Sequence, residues 1–408
     1  MAEERGGVAA RVYDSLRRAV VPVPLSEDAD HPGEPALRLY VCGVTPYDSG
    51  HLGHAFTFCS FDVLVRWLEA SGVRVRYVQN VTDVDDPLFE RARRDGVGWR
   101  ELGRRETERY VADMALLGWR PPDVMPRVSE EIDTILGAVS RLVDAGCTYR
   151  SDAVYFDVCR YPGYGGLSHR TRRSMLRKLR DEDLLGTVGP DAKRDALDFP
   201  LWRASGPDEP SWDAPFGAGR PGWHIECSAM SMRYLGPQVD IHGGGRDLAF
   251  SHHESERAQS ESLTGCAPFA RVWMHTGMVR FQGAKMSKSL GNLVVVSQLL
   301  ERVPAAAARL CLLSHRYRTD WSFTWERLER FRGLAAALAA LLGADRAGEA
   351  ERPRDGAAGR LADAFAAAMD DDLDTPRAIV VLARAVRAGE AGAARWMAGI
   401  LCGSAALR

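Results

Sequence analysis

Leu37-Arg-Leu-Tyr-Val-Cys-Gly-Val44 alternates apolar and other residues, the pattern of a strand, and closes beside Gly43. Thr45-Pro-Tyr-Asp-Ser-Gly50 follows as a turn. His51-Leu-Gly-His54 then opens a run in which His54, Phe58, Phe61, Val65 and Leu68 recur at helical spacing. That helix stops at Gly72, and Val73-Arg-Val-Arg-Tyr-Val78 reads as the next strand. Strand, helix and strand in this order make a βαβ unit, which implies a parallel sheet and the α/β class.

Outward from this unit, Leu88–Arg94, Trp99–Leu117 and Glu130–Ala145 have helical patterns. Residues 150–215 are rich in Arg, Asp, Gly and Pro around a short strand-like Ala153–Val158. Apolar segments with glycine turns resume at Gly222, and the chain from Ser297 is Ala-, Leu- and Arg-rich and reads as helical. The expected organisation is an irregular N-terminal arm over 1–36 and the first half of a parallel-sheet domain over 37–110. An inserted α+β subdomain over 111–215, the second half of the sheet domain over 216–296 and a helical domain over 297–408 complete it.

The 408 residues carry 53 basic and 55 acidic side chains, so the net charge of −2 gives no chain-wide attraction to nucleic acid or anionic lipid. The longest apolar stretch, Gly333 to Ala344, is too short to cross a membrane. Met1-Ala-Glu-Glu-Arg5 lacks the apolar region of a signal peptide, and the eight cysteines form no CxxC pair. A cytoplasmic monomer with no membrane association is expected.

Only four of the 53 basic residues are lysines: Lys178, Lys193, Lys285 and Lys288. No GxxxxGK[ST] exists, which excludes a P-loop. Two of the four lie in Lys285-Met-Ser-Lys-Ser289, between Gly283 and Gly291. Ammonium and hydroxyl groups on a glycine-flanked loop suit a pyrophosphate leaving group. His51-Leu-Gly-His54 supplies the complementary device. Gly53 permits close approach of a ligand, a helix N-terminus favours phosphate, and two imidazoles can stabilise charge growing on an α-phosphate.

Cys42, Cys227 and the His252-His-Glu-Ser-Glu256 run offer thiolate, imidazole and carboxylate, the ligand types zinc takes, and a spacing of four lets one helix face present both His252 and Glu256. Cys59, Cys147, Cys159, Cys266, Cys311 and Cys402 read as small apolar residues. Asn80-Val-Thr-Asp-Val-Asp-Asp86 reads either as ribose-binding or as a helix cap, and Gly243-Gly-Gly245 as a loop that exposes its backbone to adenine or phosphate.

The HLGH and KMSKS pair, about 230 residues apart, is the signature of class I aminoacyl-tRNA synthetases. Together with Tyr40–Thr45, Asn80–Asp86, Gly222–Cys227 and His242–Glu256, it resembles the cysteinyl-tRNA synthetase family over about residues 37–325 and again at Asp370-Asp-Asp-Leu-Asp-Thr-Pro376. The resemblance implies a Rossmann-like catalytic domain that makes an aminoacyl-adenylate from ATP, with Mg2+, and a zinc that selects cysteine through its thiolate. Cys42, Cys227, His252 and Glu256 are the implied zinc ligands, and His51, His54, Lys285 and Lys288 the implied catalytic residues. Gly43, Val44, Thr45, Thr57, Asn80, Val81, Thr82, Trp223, Gly245, Arg246, Asp247 and Val279 are the implied contacts of ATP and the adenylate.

One branch of the family charges tRNA; the other, the mycothiol cysteine ligases, joins cysteine to the amine of glucosaminyl-inositol. About 120 residues follow Ser289, too few for an anticodon-binding domain, and Thr45-Pro-Tyr-Asp48 resembles the ligase. Glu256, Tyr164-Gly-Gly-Leu-Ser168 and the absence of an ERGGDP-type segment over 179–190 resemble the synthetase. The expectation is a cysteine-activating ligase with a small-molecule amine acceptor and no tRNA. The alternative is a cysteinyl-tRNA synthetase or a paralogue with another acceptor. His224 and Asp48 are the candidates for taking the acceptor's proton.

Overall fold

The computed structural model describes residues 9–28, 31–47, 50–181, 192–286, 292–343 and 350–407. Asp48, Lys288 and most of the 179–190 segment lie outside the described residues, as does the Lys285 side chain.

The chain opens with β1 (Arg11–Asp14), β2 (Ala19–Pro22), β3 (Ser26–Glu27) and β4 (Pro35–Val44). The expectation of an irregular arm is therefore corrected. β1 and β2 pair as an antiparallel hairpin, and β3 pairs antiparallel with the start of β4. The hairpin buries Val12, while Asp14 takes the backbone N–H of Trp273, so polar residues carry part of the pairing that an apolar pattern would reveal.

From β4 the chain passes through α1 (Leu52–Ala70) to β5 (Arg74–Val81), which lies parallel to β4. Next come α2 (Asp86–Asp95), α3 (Trp99–Leu116) and α4 (Ile132–Asp144). α3 runs without a break through positions 110 and 111. An antiparallel sheet follows, with β6 (Thr148–Arg150), β7 (Ala153–Phe156), β8 (Phe199–Arg203) and β9 (Arg220–Pro221) in that order, and α5 (Arg172–Asp181) between β7 and β8. The pairing of β9 with β8 carries this sheet past residue 215.

The parallel sheet resumes after α6 (Trp223–Leu235) with β10 (Val239–Gly245), then α7 (His252–Thr264) and β11 (Ala270–Thr276). Its spatial order is β5-β4-β10-β11, all parallel. Both faces are covered, so its strands are buried along most of their length. One face packs on α1 and the C-terminal helices through Leu39, Phe56, Leu64 and Leu310. The other packs on α4, α6 and α7 through Tyr40, Ile135, Met230 and Ala258.

β12 (Val279–Phe281) and β13 (Ala284–Lys285) lead to α8 (Val296–Leu300) and α9 (Ala305–Leu313). β14 (Trp321–Phe323) is a strand inside the region expected to be helical, and it pairs with β12. α10 (Trp325–Leu342), α11 (Gly356–Met369), α12 (Thr375–Arg387) and α13 (Ala391–Ala406) complete the chain. Arg309 of α9, fully buried, ion-pairs with Asp62 of α1 and donates to the Leu117 carbonyl at 3.2 Å, fastening α9 to α1 and to the end of α3.

Candidate active site and metal-ligand cluster

β5 lies on one side of β4 and β10 on the other, so the carboxyl ends of β4 and β10 flank a crevice where the connections diverge, the usual ligand position in an open α/β sheet. A cavity of about 550 Å³ occupies it. Cys42, Gly43, Thr45, Thr57, Trp223, Gly245, Asp247 and Val279 line it, together with His51 and His54.

His51 is the N-cap of α1, its Nδ1 accepting from the N–H of Gly53 at 3.0 Å and of His54 at 3.4 Å. A Cβ at residue 53 would lie 2.9 Å from His51 Cε1, so the glycine makes room for the capping ring as well as lining the cavity. The His51 and His54 rings stack at 3.8 Å. Burial, then the neighbouring His51, holds the His54 imidazole well below its ordinary pKa.

The HLGH turn is joined to the segment that follows residues 287–291. His51 forms an antiparallel bridge with Val295, and the Leu52 N–H donates to the Val294 carbonyl at 2.8 Å. Met286 and Leu293, which flank residues 287–291, both line the cavity.

Several expected contacts form the wall behind the cavity instead. Asn80 is fully buried; its Oδ1 accepts from Gly43 N–H at 2.9 Å and its Nδ2 donates to Thr82 Oγ1 at 3.0 Å. β4 and β5 approach so closely that a Cβ on Gly43 would fall 1.6 Å from the Asn80 carbonyl oxygen. Val44 and Val81 are buried partners in the β4–β5 pairing, and Arg246 turns away to Asp320 and the Arg318 carbonyl. Gly243-Gly-Gly245 is the end of β10 rather than a loop. Phe61 and His253 occupy the space beside Gly243 and Gly244, and only Gly245 reaches the cavity. Asp85 caps α2, accepting from Asp86 N–H, while Asp83 accepts from Ser129 and Asp86 pairs with Arg203 and Arg220.

At the cavity floor Cys42, Cys227, His252 and Glu256 bring one ligand atom each within 4.8 Å of one another. All four are buried. The Cys42 thiol donates to Glu256 Oε1 at 3.3 Å, and His252 Nε2 lies 3.2 Å from the same oxygen. The second nitrogen of His252 meets His224 Nδ1 at 2.9 Å, and its ring stacks on Trp223 at 4.2 Å. This is the outer support expected of a metal-binding imidazole.

Sequence reasoning missed two further ligand candidates. His242 and His253 form a second set with Cys42 and Glu256. His242 Nε2 is 3.2 Å from Glu256 Oε2, and His253 Nδ1 is 2.8 Å from His275 Nε2. Burial lowers the pKa of His224, His242 and His275 to about 3, which keeps these imidazoles neutral. A signal was present in the count: His224, His242, His252, His253 and His275 are half of the ten histidines. Among the remaining cysteines, Cys59, Cys311 and Cys402 are buried, but Cys159 is exposed, correcting its reading as an interior residue.

Residues 30–332 match the family model for the tRNA synthetases class I (C) catalytic domain. The chain belongs to this family. A ligase of Parafrankia sp. (strain EAN1pec), named L-cysteine:1D-myo-inositol 2-amino-2-deoxy-alpha-D-glucopyranoside ligase, is 47% identical over 371 residues, 88% of this chain and 80% of that protein. The cysteine–tRNA ligase of Thioalkalivibrio sulfidiphilus is 46% identical over 363 residues, 86% of this chain and 75% of that protein. Methionyl-tRNA synthetase of Mycobacterium tuberculosis, in complex with methionyl-adenylate, shares the fold at a TM-score of 0.63 and 16% identity, over 91% of this chain and 89% of that one. The family members are class I synthetase-type ligases. Their catalytic fold, a parallel sheet with a helical C-terminal region, is the one described above.

Proposed function

We propose that the chain is an ATP-dependent ligase that activates L-cysteine as cysteinyl-adenylate and passes the cysteinyl group to a small-molecule amine, forming an amide. The observation that carries this reading is Cys42, which both lines the cavity and belongs to the buried Cys42, Cys227, His252 and Glu256 cluster. The donor set fits zinc: two thiols, a neutral imidazole and a carboxylate, with Glu256 Oε2 left without a hydrogen bond among the described residues. Zinc bound there supplies a soft partner for a substrate thiolate and a far poorer one for a hydroxyl, which separates cysteine from serine.

The residues of the chain do the rest. Trp223 and Thr45 bound the space for the amino acid. Asp247 and Gly245, with Val279, form the side of the cavity assigned to the nucleoside. His51 and His54, on the first turn of α1, face the α-phosphate, where their N–H groups and the helix N-terminus stabilise the charge that develops. Lys285 and Lys288 are assigned to the leaving pyrophosphate, with Mg2+ accompanying ATP.

The name of the Parafrankia relative supports 1D-myo-inositol 2-amino-2-deoxy-α-D-glucopyranoside as the acceptor. The alternative, transfer to tRNA, is favoured by the Thioalkalivibrio relative at nearly equal identity. Mass spectrometry decides between them. With ATP, cysteine and the amino sugar, the amide is expected without tRNA; cysteinyl-tRNA with no amide would reverse the assignment.

A further inference from the structure

Amide formation needs a group that the ligand cluster does not supply. A primary amine arrives at neutral pH as an ammonium ion and has no lone pair until a proton leaves. Asp85 lies one hydrogen bond behind the cavity lining. Its Oδ2 accepts from Thr45 Oγ1 at 3.1 Å, Thr45 and Tyr47 line the cavity, and burial, then Asp85, raises the pKa of the Tyr47 phenol.

The neighbouring acids are occupied. Asp86 is held by Arg203 and Arg220, and Asp83 accepts twice from Ser129. Asp85 forms no ion pair among the described residues. Beside it lies Glu226 of α6, fully buried, with both carboxyl oxygens lacking a hydrogen bond among the described residues; Asp85 is the charge that acts on it most strongly. Next to Thr45, Asp85 and Glu226 therefore stand as a pair of acids, while Arg203 and Arg220 are engaged by Asp86.

Resting on the proposed ligase activity, we infer that Asp85 binds the ammonium group of the acceptor and takes its proton. One proton passes from R–NH3+ to the Asp85 carboxylate. The freed lone pair attacks the adenylate carbonyl carbon. A C–N bond forms, the C–O bond to phosphate breaks with its electrons leaving on AMP, and the second proton goes to water. Burial, then Asp86, raises the Asp85 pKa to about 6, near the value that suits a base at neutral pH. Tyr47, Asp83, Asp86, Arg203, Arg220 and Glu226 are the charged or titratable groups around it.

Asp85→Asn tests this, since asparagine keeps the helix cap. Transfer is compared for two nucleophiles, the amino sugar and hydroxylamine, the latter arriving largely uncharged, each divided by cysteine-dependent ATP–pyrophosphate exchange in the same preparation. The amino-sugar ratio is expected to fall about 100-fold, the hydroxylamine ratio far less, and the wild-type rise in amide rate through about pH 6 to disappear. Equal losses for both nucleophiles, or none for either, overturn the assignment. Absence of exchange in the wild type overturns the ligase reading itself.

Discussion

Cys42 Sγ lies 3.3 Å from Glu256 Oε1, although 214 residues separate them. The contact exists because β10 lies beside β4, and the helix that follows β10 presents His252 and Glu256 to the end of β4. A sequence-distant thiol and carboxylate thus meet under a cavity that also holds the HLGH turn.

Removing one ligand should empty this cluster. Cys227→Ala is expected to reduce bound zinc from about one equivalent to near zero by elemental analysis, with helical content retained and cysteine-dependent exchange lost. Full zinc in Cys227→Ala, with loss in His253→Ala, would instead assign the metal to the Cys42, His242, His253 and Glu256 set.

Gly53→Ala places a Cβ 2.9 Å from the His51 ring and should drive that ring off its cap. The expected cost is about 1 kcal/mol of stability and about a 10-fold or greater loss of adenylation. Thermal melting and pyrophosphate exchange measure the two effects separately.

Arg309→Met removes one of the two guanidinium partners of buried Asp62, Arg66 being the other. Loss of about 3 kcal/mol is expected, seen as an earlier denaturation midpoint. An unchanged midpoint would show that Arg66, 3.0 Å from Asp62, compensates.

Asp85 also makes a stability prediction. Its carboxyl ionises near 3.8 when unfolded and near 6 when folded, so the folded state is penalised as pH rises through that window. Asp85→Asn should therefore be more stable than the wild type at pH 8, by about 1–2 kcal/mol, with the difference gone by pH 4. Denaturant melts at the two pH values check the sign.

Periodicity revealed β4, α1 and β5 because apolar residues recur along each at strand or helix spacing. It did not reveal the β1–β2 hairpin, whose contacts include the buried carboxylate of Asp14. It also placed Gly243-Gly-Gly245 in a loop, since glycine reads as a turn when the large side chain filling its space, Phe61, is distant in sequence. His252 and Glu256 were legible as a helix pair. Their meeting with Cys42 and Cys227 was legible only through family resemblance, because parallel-sheet neighbours need not be sequence neighbours. His242 and His253 went unassigned for the same reason.

The cavity beside the buried cluster is expected to activate cysteine on its own. ATP–pyrophosphate exchange, with no tRNA or amine present, tests it most directly. Cysteine is expected to support exchange and serine none. No exchange with cysteine, or equal exchange with serine, would contradict it.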